Sequence, residues 1–558
     1  MKKLIISLAA IAGILTLATS CIEETFPQGS TVTGDQAGNA PGAFENFVGS
    51  LTSTLAGQFT YGGSDYDAYD YGYSTFFLMR DMMGQDIAVT NTSNTEWYNA
   101  WYNYDVTLGP GYAHSQFPWT YYYGWIKNCN TVITLAGEEP DATHKNGAGI
   151  AYAMRAMFYM DLARMYANKT YAADLKAETV PYVSEKTSLS DLANNPRATN
   201  EEIWGYILSD LEKAETFLSD YKRSDKYTPD MSVVYGLKAR AYQTMEDWVN
   251  AEKYAKLAMN GYTMLTPAEY TDRTTGFNTP NNAWMFALRF KSDDPNIKFN
   301  DGDSSWGSWM ILEVNGVGYA ANYGCPKQID RHLYETINLT DCRKQCFVDF
   351  SLNDMSEKEA LVALKDYSDY PGRLVTAAGA SETKTLGGLS LKFRAIGGAA
   401  GRENQYVGFC VSVPLMRIEE MKLIEAEAVG MQAGHETDGI SLLTAFAKQR
   451  DENYVYGTHN EAYGNTSTSA FQNEIWWQRR VEFWGEGMAT FDIKRLNKGV
   501  IRSYPGTNHP KGYRWNFPSV PEAMNLCIGQ SETNFNSACT SNPAPSQPKD
   551  DSAEVTTW

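Results

Sequence analysis

Tyr235-Gly236-Leu237-Lys238-Ala239-Arg240-Ala241-Tyr242 and, past the turn at Asp247-Trp248, Ala251-Glu252-Lys253-Tyr254-Ala255-Lys256-Leu257-Ala258 form the stretch that decides the fold. Tyr235, Ala239 and Tyr242 stand four and then three residues apart, which sets bulky, small and bulky side chains on one helical face. Ala251, Ala255 and Ala258 repeat the spacing on a second helix. Two antiparallel helices that meet over small residues can pack closely. The same spacing recurs at Trp125, Cys129 and Val132, at Tyr152, Ala156 and Tyr159, and less well at Met421, Glu425 and Ala428.

A helix pair of this kind looks like a tetratricopeptide unit. The middle of the chain has another character. From 278 to about 410 it is rich in Gly, Asp, Ser and aromatic residues with little period, and helical pattern resumes over 415–431, 438–450 and 471–496. The expected fold is therefore mainly α: a tetratricopeptide-like helix-pair bundle with an irregular, loop-rich half. The scaffold falls at about 119–265 and 411–500, the insertion at about 278–410, all within one domain over 42–558. The Pro/Ser/Asp-rich tail after Asn542 is expected to fray.

The chain has 558 residues, with Lys+Arg 47 against Asp+Glu 66, for a net charge of −19. With no basic block, nothing in it would grip nucleic acid or anionic lipid. Tyr (36) well exceeds Phe (23), and there are 14 Trp, a balance that suits surfaces both apolar and wet. Cys342 and Cys346, near His332, lack the second Cys/His pair of a zinc site, so no metal is expected. No HExxH, GxSxG or phosphate-binding loop is present, and no cofactor is implied.

The N-terminus reads as an address. Lys2 and Lys3 precede an apolar run over 4–17, too short to span a bilayer, followed by small residues. Residues 1–20 are read as a signal peptide. Leu17-Ala18-Thr19-Ser20-Cys21 resembles a bacterial lipobox, which makes Cys21 the lipidation site and 21–41 a tether. Glu23 and Glu24, just after Cys21, resemble the acidic export signal of surface lipoproteins, so the expected place is the outer membrane, at the cell surface, with membrane contact only through the lipid.

Glu482, Glu486 and Asp492 are the best candidates for paired catalytic carboxylates, since glycosidases use two. Arg479, Arg480, Lys494 and Arg495 are interleaved with them, and charge-paired acids make poor general acids. The structural alternative is an ion-paired helix end. Asp301, Asp303 and Ser305 alternate like the start of a calcium loop, but the later offsets are wrong for an EF-hand.

Aromatic loops remain, over 61–73, 97–104, 300–309 and 316–324. Sugars present flat C–H faces ringed by hydroxyls, which Tyr and Trp rings cover while polar side chains bind the rim. On loop position, the candidate ligand-binding residues are Trp97, Tyr98, Asn99 and Trp101 in one loop and Trp306, Trp309 and Tyr319 in the other, with Arg80 as a hydroxyl donor. The opposing possibility for each ring is burial.

Three helical segments carry a family resemblance. They are Ala151-Tyr152-Ala153-Met154-Arg155-Ala156-Met157-Phe158-Tyr159, then Met416-Arg417-Ile418-Glu419-Glu420-Met421-Lys422-Leu423-Ile424-Glu425-Ala426-Glu427-Ala428, then Arg479-Arg480-Val481-Glu482-Phe483-Trp484-Gly485-Glu486-Gly487 with Phe491-Asp492-Ile493-Lys494-Arg495. In this order behind a lipobox, they resemble the SusD/RagB family of outer-membrane lipoproteins. The resemblance implies four tetratricopeptide-like helix pairs with an irregular, loop-rich ligand-binding half, and no catalysis. It implies capture of a glycan and its delivery to a SusC-like TonB-dependent transporter. The alternatives are a peptide-capturing member of the same family, or a glycoside hydrolase using Glu482 and Glu486.

Overall fold

A computed structural model describes residues 42–58 and 68–558. The signal peptide, the tether with Cys21, and residues 59–67, which include the start of the first aromatic loop, lie outside the described residues. The chain divides after Asn46. Of the N-terminal unit, the described residues 42–46 hold the start of the helix Ala43–Ser53. The rest, Phe47–Trp558, forms the body.

Eight helices make the scaffold: α1 (Ala113–Ala136), α2 (Lys145–Tyr166), α3 (Asn200–Phe217), α4 (Met231–Met245), α5 (Trp248–Ala258), α6 (Ile418–Gly430), α7 (Glu436–Ala447) and α8 (Ala470–Glu482). Each of α1 to α7 packs on the next, and α8 packs on α6 and α7. Local chemistry sets the helix ends. The Asp230 carboxylate caps α4 by accepting from the Ser232 and Val233 amides, and the Asp247 carboxylate caps α5 from Asn250. Thr199 with Glu202 and Ser469 with Gln472 form capping boxes on α3 and α8; each such cap contributes about 1 kcal/mol. Glu246, at φ 59°, turns the chain sharply between α4 and α5.

The small residues lie where the helices cross. Ala239, Ala251, Ala255 and Ala258 are fully buried, and the Tyr242 and Tyr254 rings stack across the α4–α5 pair at 5.6 Å. Between α6 and α7 the approach is closest. A Cβ on Gly439 would stand 2.4 Å from the Gly430 Cα, so Gly439 accepts no larger residue without separating the helices, and a Cβ on Gly430 would meet the Phe471 ring of α8 at 2.3 Å.

Helix α5 packs directly on α6, although 159 positions separate Ala258 from Ile418, so the insertion leaves the stack and returns beside its own exit. Four short strands organise it: β1 (Ile87–Val89), β2 (Trp284–Arg289), β3 (Lys327–Ile329) and β4 (Ser412–Arg417). β1 pairs antiparallel with β3, Ile87 opposite Ile329. β2 pairs antiparallel with β4, Trp284 opposite Arg417, and β4 runs straight into α6.

A buried ionic cluster ties the insertion to the scaffold. Glu482, at the end of α8, accepts from Arg417 Nη1 (3.1 Å), Arg450 Nε (3.0 Å) and Arg343 Nη1 (3.4 Å). Glu486 accepts from Arg417 Nε (2.9 Å) and Lys392 Nζ (2.6 Å). Glu419 pairs with Arg417 and Arg450, and Asp341 with Arg343, so four cations meet four carboxylates. Desolvating so many charges is tolerated because each finds opposite partners.

The tail does not fray as expected. The Val555 amide donates to the Ser503 carbonyl at 3.1 Å, and the Trp558 ring stacks on His332 at 3.6 Å.

Candidate functional site

The two aromatic loops named from the sequence meet. Tyr319 Oη donates to Glu96 Oε1 at 3.2 Å, and Asn94 Nδ2 to the Tyr323 carbonyl at 2.6 Å. Neither segment is wholly a loop. Tyr98–Asn103 and Trp306–Met310 are short helices, the second capped by Ser305 Oγ, which accepts from the Ser308 amide. Beneath the meeting point, Trp309 packs edge to face with Tyr98 at 4.9 Å and donates its indole N–H to the Ala68 carbonyl at 2.8 Å.

These contacts sort the predicted residues into two layers. Trp97, Asn99 and Tyr319 are half-buried and remain at the surface. Tyr98, Trp101 and Trp309 are at most 1% exposed, so the expectation that they touch ligand is corrected: they form the floor. Tyr319 stacks on Trp309 at 4.1 Å and 8°. Trp306 is also sealed, its edge against Phe77 and Phe393, away from this surface. The physical cause is shared. Indole and phenol rings carry large apolar areas, and those with ring partners from distant segments go inside.

Arg80 is likewise corrected. It is 2% exposed, donates through Nε to the Gly487 carbonyl at 2.9 Å, and lies 3.5 Å from Asp161. Its guanidinium sits 4.6 Å over the Phe491 ring. Its Nη1 also donates to Tyr122 Oη at 3.3 Å, so Nε, Nη1 and the guanidinium face are engaged inside the protein. Tyr71 and Tyr73, expected in an exposed loop, are buried too, and Tyr73 Oη donates to Asp161 at 2.6 Å.

Sequence reasoning missed several members of the surface. Tyr69 stacks on Trp97 at 4.0 Å and 8°, and His114 packs against Trp97 at 4.5 Å. Tyr323, 37% exposed, meets Tyr319 edge to face at 5.2 Å. Glu96, at φ 52°, holds a left-handed backbone that is uncommon outside glycine. Tyr69 and Tyr323 were inside loops already singled out by composition; Glu96 carried no signal.

The surface is acidic. Burial pushes the Asp303 carboxyl up to about 6, although Ser308 Oγ donates to it at 3.2 Å. Asp301 accepts from Tyr406 Oη at 3.1 Å. Burial pushes His114 down to about 4, so it adds no positive charge at neutral pH. The nearby Lys327 is buried beneath Trp309, 4.9 Å from its ring, and its Nζ donates to the Cys325 carbonyl. Among the described residues no three His, Cys, Asp or Glu side chains converge as metal ligands.

The paired carboxylates stand elsewhere and do other work. Three arginines outweigh the burial penalty and hold the Glu482 carboxyl well below the usual carboxylate range. It has no proton to donate at neutral pH. Asp492 pairs with Arg479 at 2.7 Å and Arg495 at 3.4 Å.

Comparison with known proteins now bears on this arrangement. Residues 63–243 match a profile described as starch-binding, associating with outer membrane, and residues 254–554 match that of the SusD family. The chain belongs to the SusD family. A relative, the SusD-like protein P38 of Formosa agariphila, is 23% identical over 410 residues, 70% of this chain and 74% of that one. Among solved structures, a SusD-like carbohydrate binding protein from Bacteroides vulgatus superposes with a TM-score of 0.66 at 20% identity, over 89% of this chain and 97% of that one. Surface glycan-binding protein A from Bacteroides thetaiotaomicron does so with a TM-score of 0.63 at 18% identity, over 91% and 99%. The same protein with laminarihexaose gives 0.61 at 18%, over 89% and 98%. These likenesses carry the SusD fold: helix pairs in the tetratricopeptide manner, with the irregular half inserted between α5 and α6.

Proposed function

We propose that this SusD-family chain captures oligosaccharides at the cell surface and passes them, without transforming them, to a TonB-dependent outer-membrane transporter. The observation that carries the reading is the joined surface of Trp97, Tyr69, Tyr319 and Tyr323, floored by Tyr98 and Trp309. Its rings are braced from below, so a sugar face meets a platform that loses little freedom on binding. Glu96 and Asn94, both exposed, stand at its rim to meet hydroxyls. The ion-paired state of Glu482 and Glu486 supports a role without catalysis. Anchoring by lipid on Cys21 and residence at the outer membrane belong to the same proposal. Among the described residues no helix is long and apolar enough to cross a membrane.

The solved complex of the Bacteroides thetaiotaomicron relative makes laminarihexaose the first probe. Calorimetric titration with laminarihexaose and a panel of neutral oligosaccharides should show saturable binding with no release of reducing ends. Absence of binding across that panel, with binding of oligopeptides instead, would replace the glycan by a peptide.

A further inference from the structure

A second site lies in the scaffold. Helix Ala489–Arg495 and the end of α8 face α2, α3 and α4 across a narrow crevice. Six cationic side chains line it: Arg164, Lys169, Arg240, Arg479, Lys494 and Arg495. Only Glu420 and Asp492 oppose them there. Asp161 and Glu427 pair with Arg164 and Arg495 from behind, which still leaves four arginines and Lys169, with the buried Lys494 besides, against four carboxylates. In a chain of net charge −19 this is an inversion of the general field.

The hydrogen-bond inventory points the same way. Arg240 spends Nε and Nη2 on Glu420, and the Lys494 ammonium donates to the carbonyls of Met165, Ala167 and Met524. Arg479 and Arg495 are not used up. Arg479, 4% exposed, gives Nε to Asp492 but leaves Nη1 buried without a partner. Arg495 gives Nη1 to Glu427 and leaves Nε buried without a partner. Buried guanidinium N–H groups are costly when unpaired, and the planar fork suits an oxyanion. The walls between are apolar, from Phe491, Trp204 and Ala163, so a charge placed there is weakly screened. Lys169, exposed, stands at the mouth.

We propose that this crevice binds a small oxyanion, a carboxylate or phosphate, on the free N–H groups of Arg479 and Arg495. The bound anion joins the α2–α4 face to the segment carrying Ala489–Arg495 and stabilises the scaffold by mass action. It is separate from the glycan surface and does not depend on it.

The test uses the full chain. Crystals soaked in selenate are read by anomalous scattering, and solutions are titrated calorimetrically with inorganic phosphate and with acetate against sodium chloride of equal ionic strength. A selenate peak within hydrogen-bond distance of Arg479 Nη1 or Arg495 Nε is expected, together with saturable heat beyond that of chloride. Heat from phosphate alone assigns a tetrahedral anion; heat from both anions admits carboxylates. Lys169→Glu, on the surface and outside the buried pairs, should weaken the anion by about tenfold, and Arg479→Gln should abolish it. No peak in the crevice, or an affinity unchanged by Lys169→Glu in a folded protein, overturns the site.

Discussion

Tyr319 and Glu96, 223 positions apart, are joined side chain to side chain at 3.2 Å, and that bond fastens the insertion to the loop before the helix Tyr98–Asn103. It also crowds an acid against a phenol. Burial first, and then the charge of Glu96, drive the Tyr319 hydroxyl upward from its ordinary range, so it stays protonated and donates.

The layered surface gives opposite expectations for neighbouring rings. Trp97→Ala and Tyr319→Ala should each weaken a bound oligosaccharide by about tenfold, as lost ring contact costs on the order of 1 kcal/mol, with little change in melting temperature. Trp309→Ala should instead destabilise the fold by about 3–5 kcal/mol. Calorimetry and thermal melts on the three variants separate the layers; equal melting losses in all three would erase the distinction.

Charge should set which glycans are refused. Glu96, Asp301 and Asp303 lie at or beside the ring platform. Neutral hexasaccharides should therefore bind at least about tenfold better than uronate hexasaccharides at low salt. Glu96→Gln combined with Asp301→Asn should narrow the gap. A wild-type preference for uronates would contradict it.

Glu482→Gln should cost about 3–5 kcal/mol, because it takes the shared carboxylate from three buried arginines and leaves them only Asp341, Glu419 and Glu486. The acid side has a defined sign. The folded carboxyl titrates below its unfolded value of 4.5, so its stabilisation is present above that pH and drains away as pH falls. Melts of wild type should decline between pH 4.5 and 2 more steeply than those of the Gln variant.

Lys494 predicts the alkaline side. Burial pushes its ammonium from 10.5 down to about 7, and among the described residues no carboxylate pairs with it. Between those values the unfolded chain binds more protons, so this residue makes stability rise with pH, by about 1.4 kcal/mol per unit. Lys494→Met should flatten that rise in melts between pH 7 and 9.

The scaffold was legible because helical burial is periodic. Ala239, Ala251 and Ala255 fall inside at the spacing that named them. The ion-paired helix end was legible too, but not its partners: Arg479 and Arg495 serve Asp492 and Arg480 serves Asp86, while Glu482 draws Arg343, Arg417 and Arg450 from distant segments. The candidate surface was half legible. Composition marked the loops that converge, yet it could not tell Trp97 from Trp309, since both sit among polar and aromatic neighbours. What separates them is a hydrogen bond to Ala68 and an edge contact with Tyr98, each more than two hundred positions from Trp309. The last residues had no period at all, and their order comes from Ser503, Arg514 and His332 far upstream.

The antiparallel pairing of Trp284 with Arg417 makes the intervening residues a cassette with adjoining ends. Binding preference can then be transplanted between relatives by cutting at these two strands, with one condition on the graft. It must bring its own Asp341, Arg343 and Lys392, or Glu482 and Glu486 each lose one cation and are left to Arg417 and Arg450.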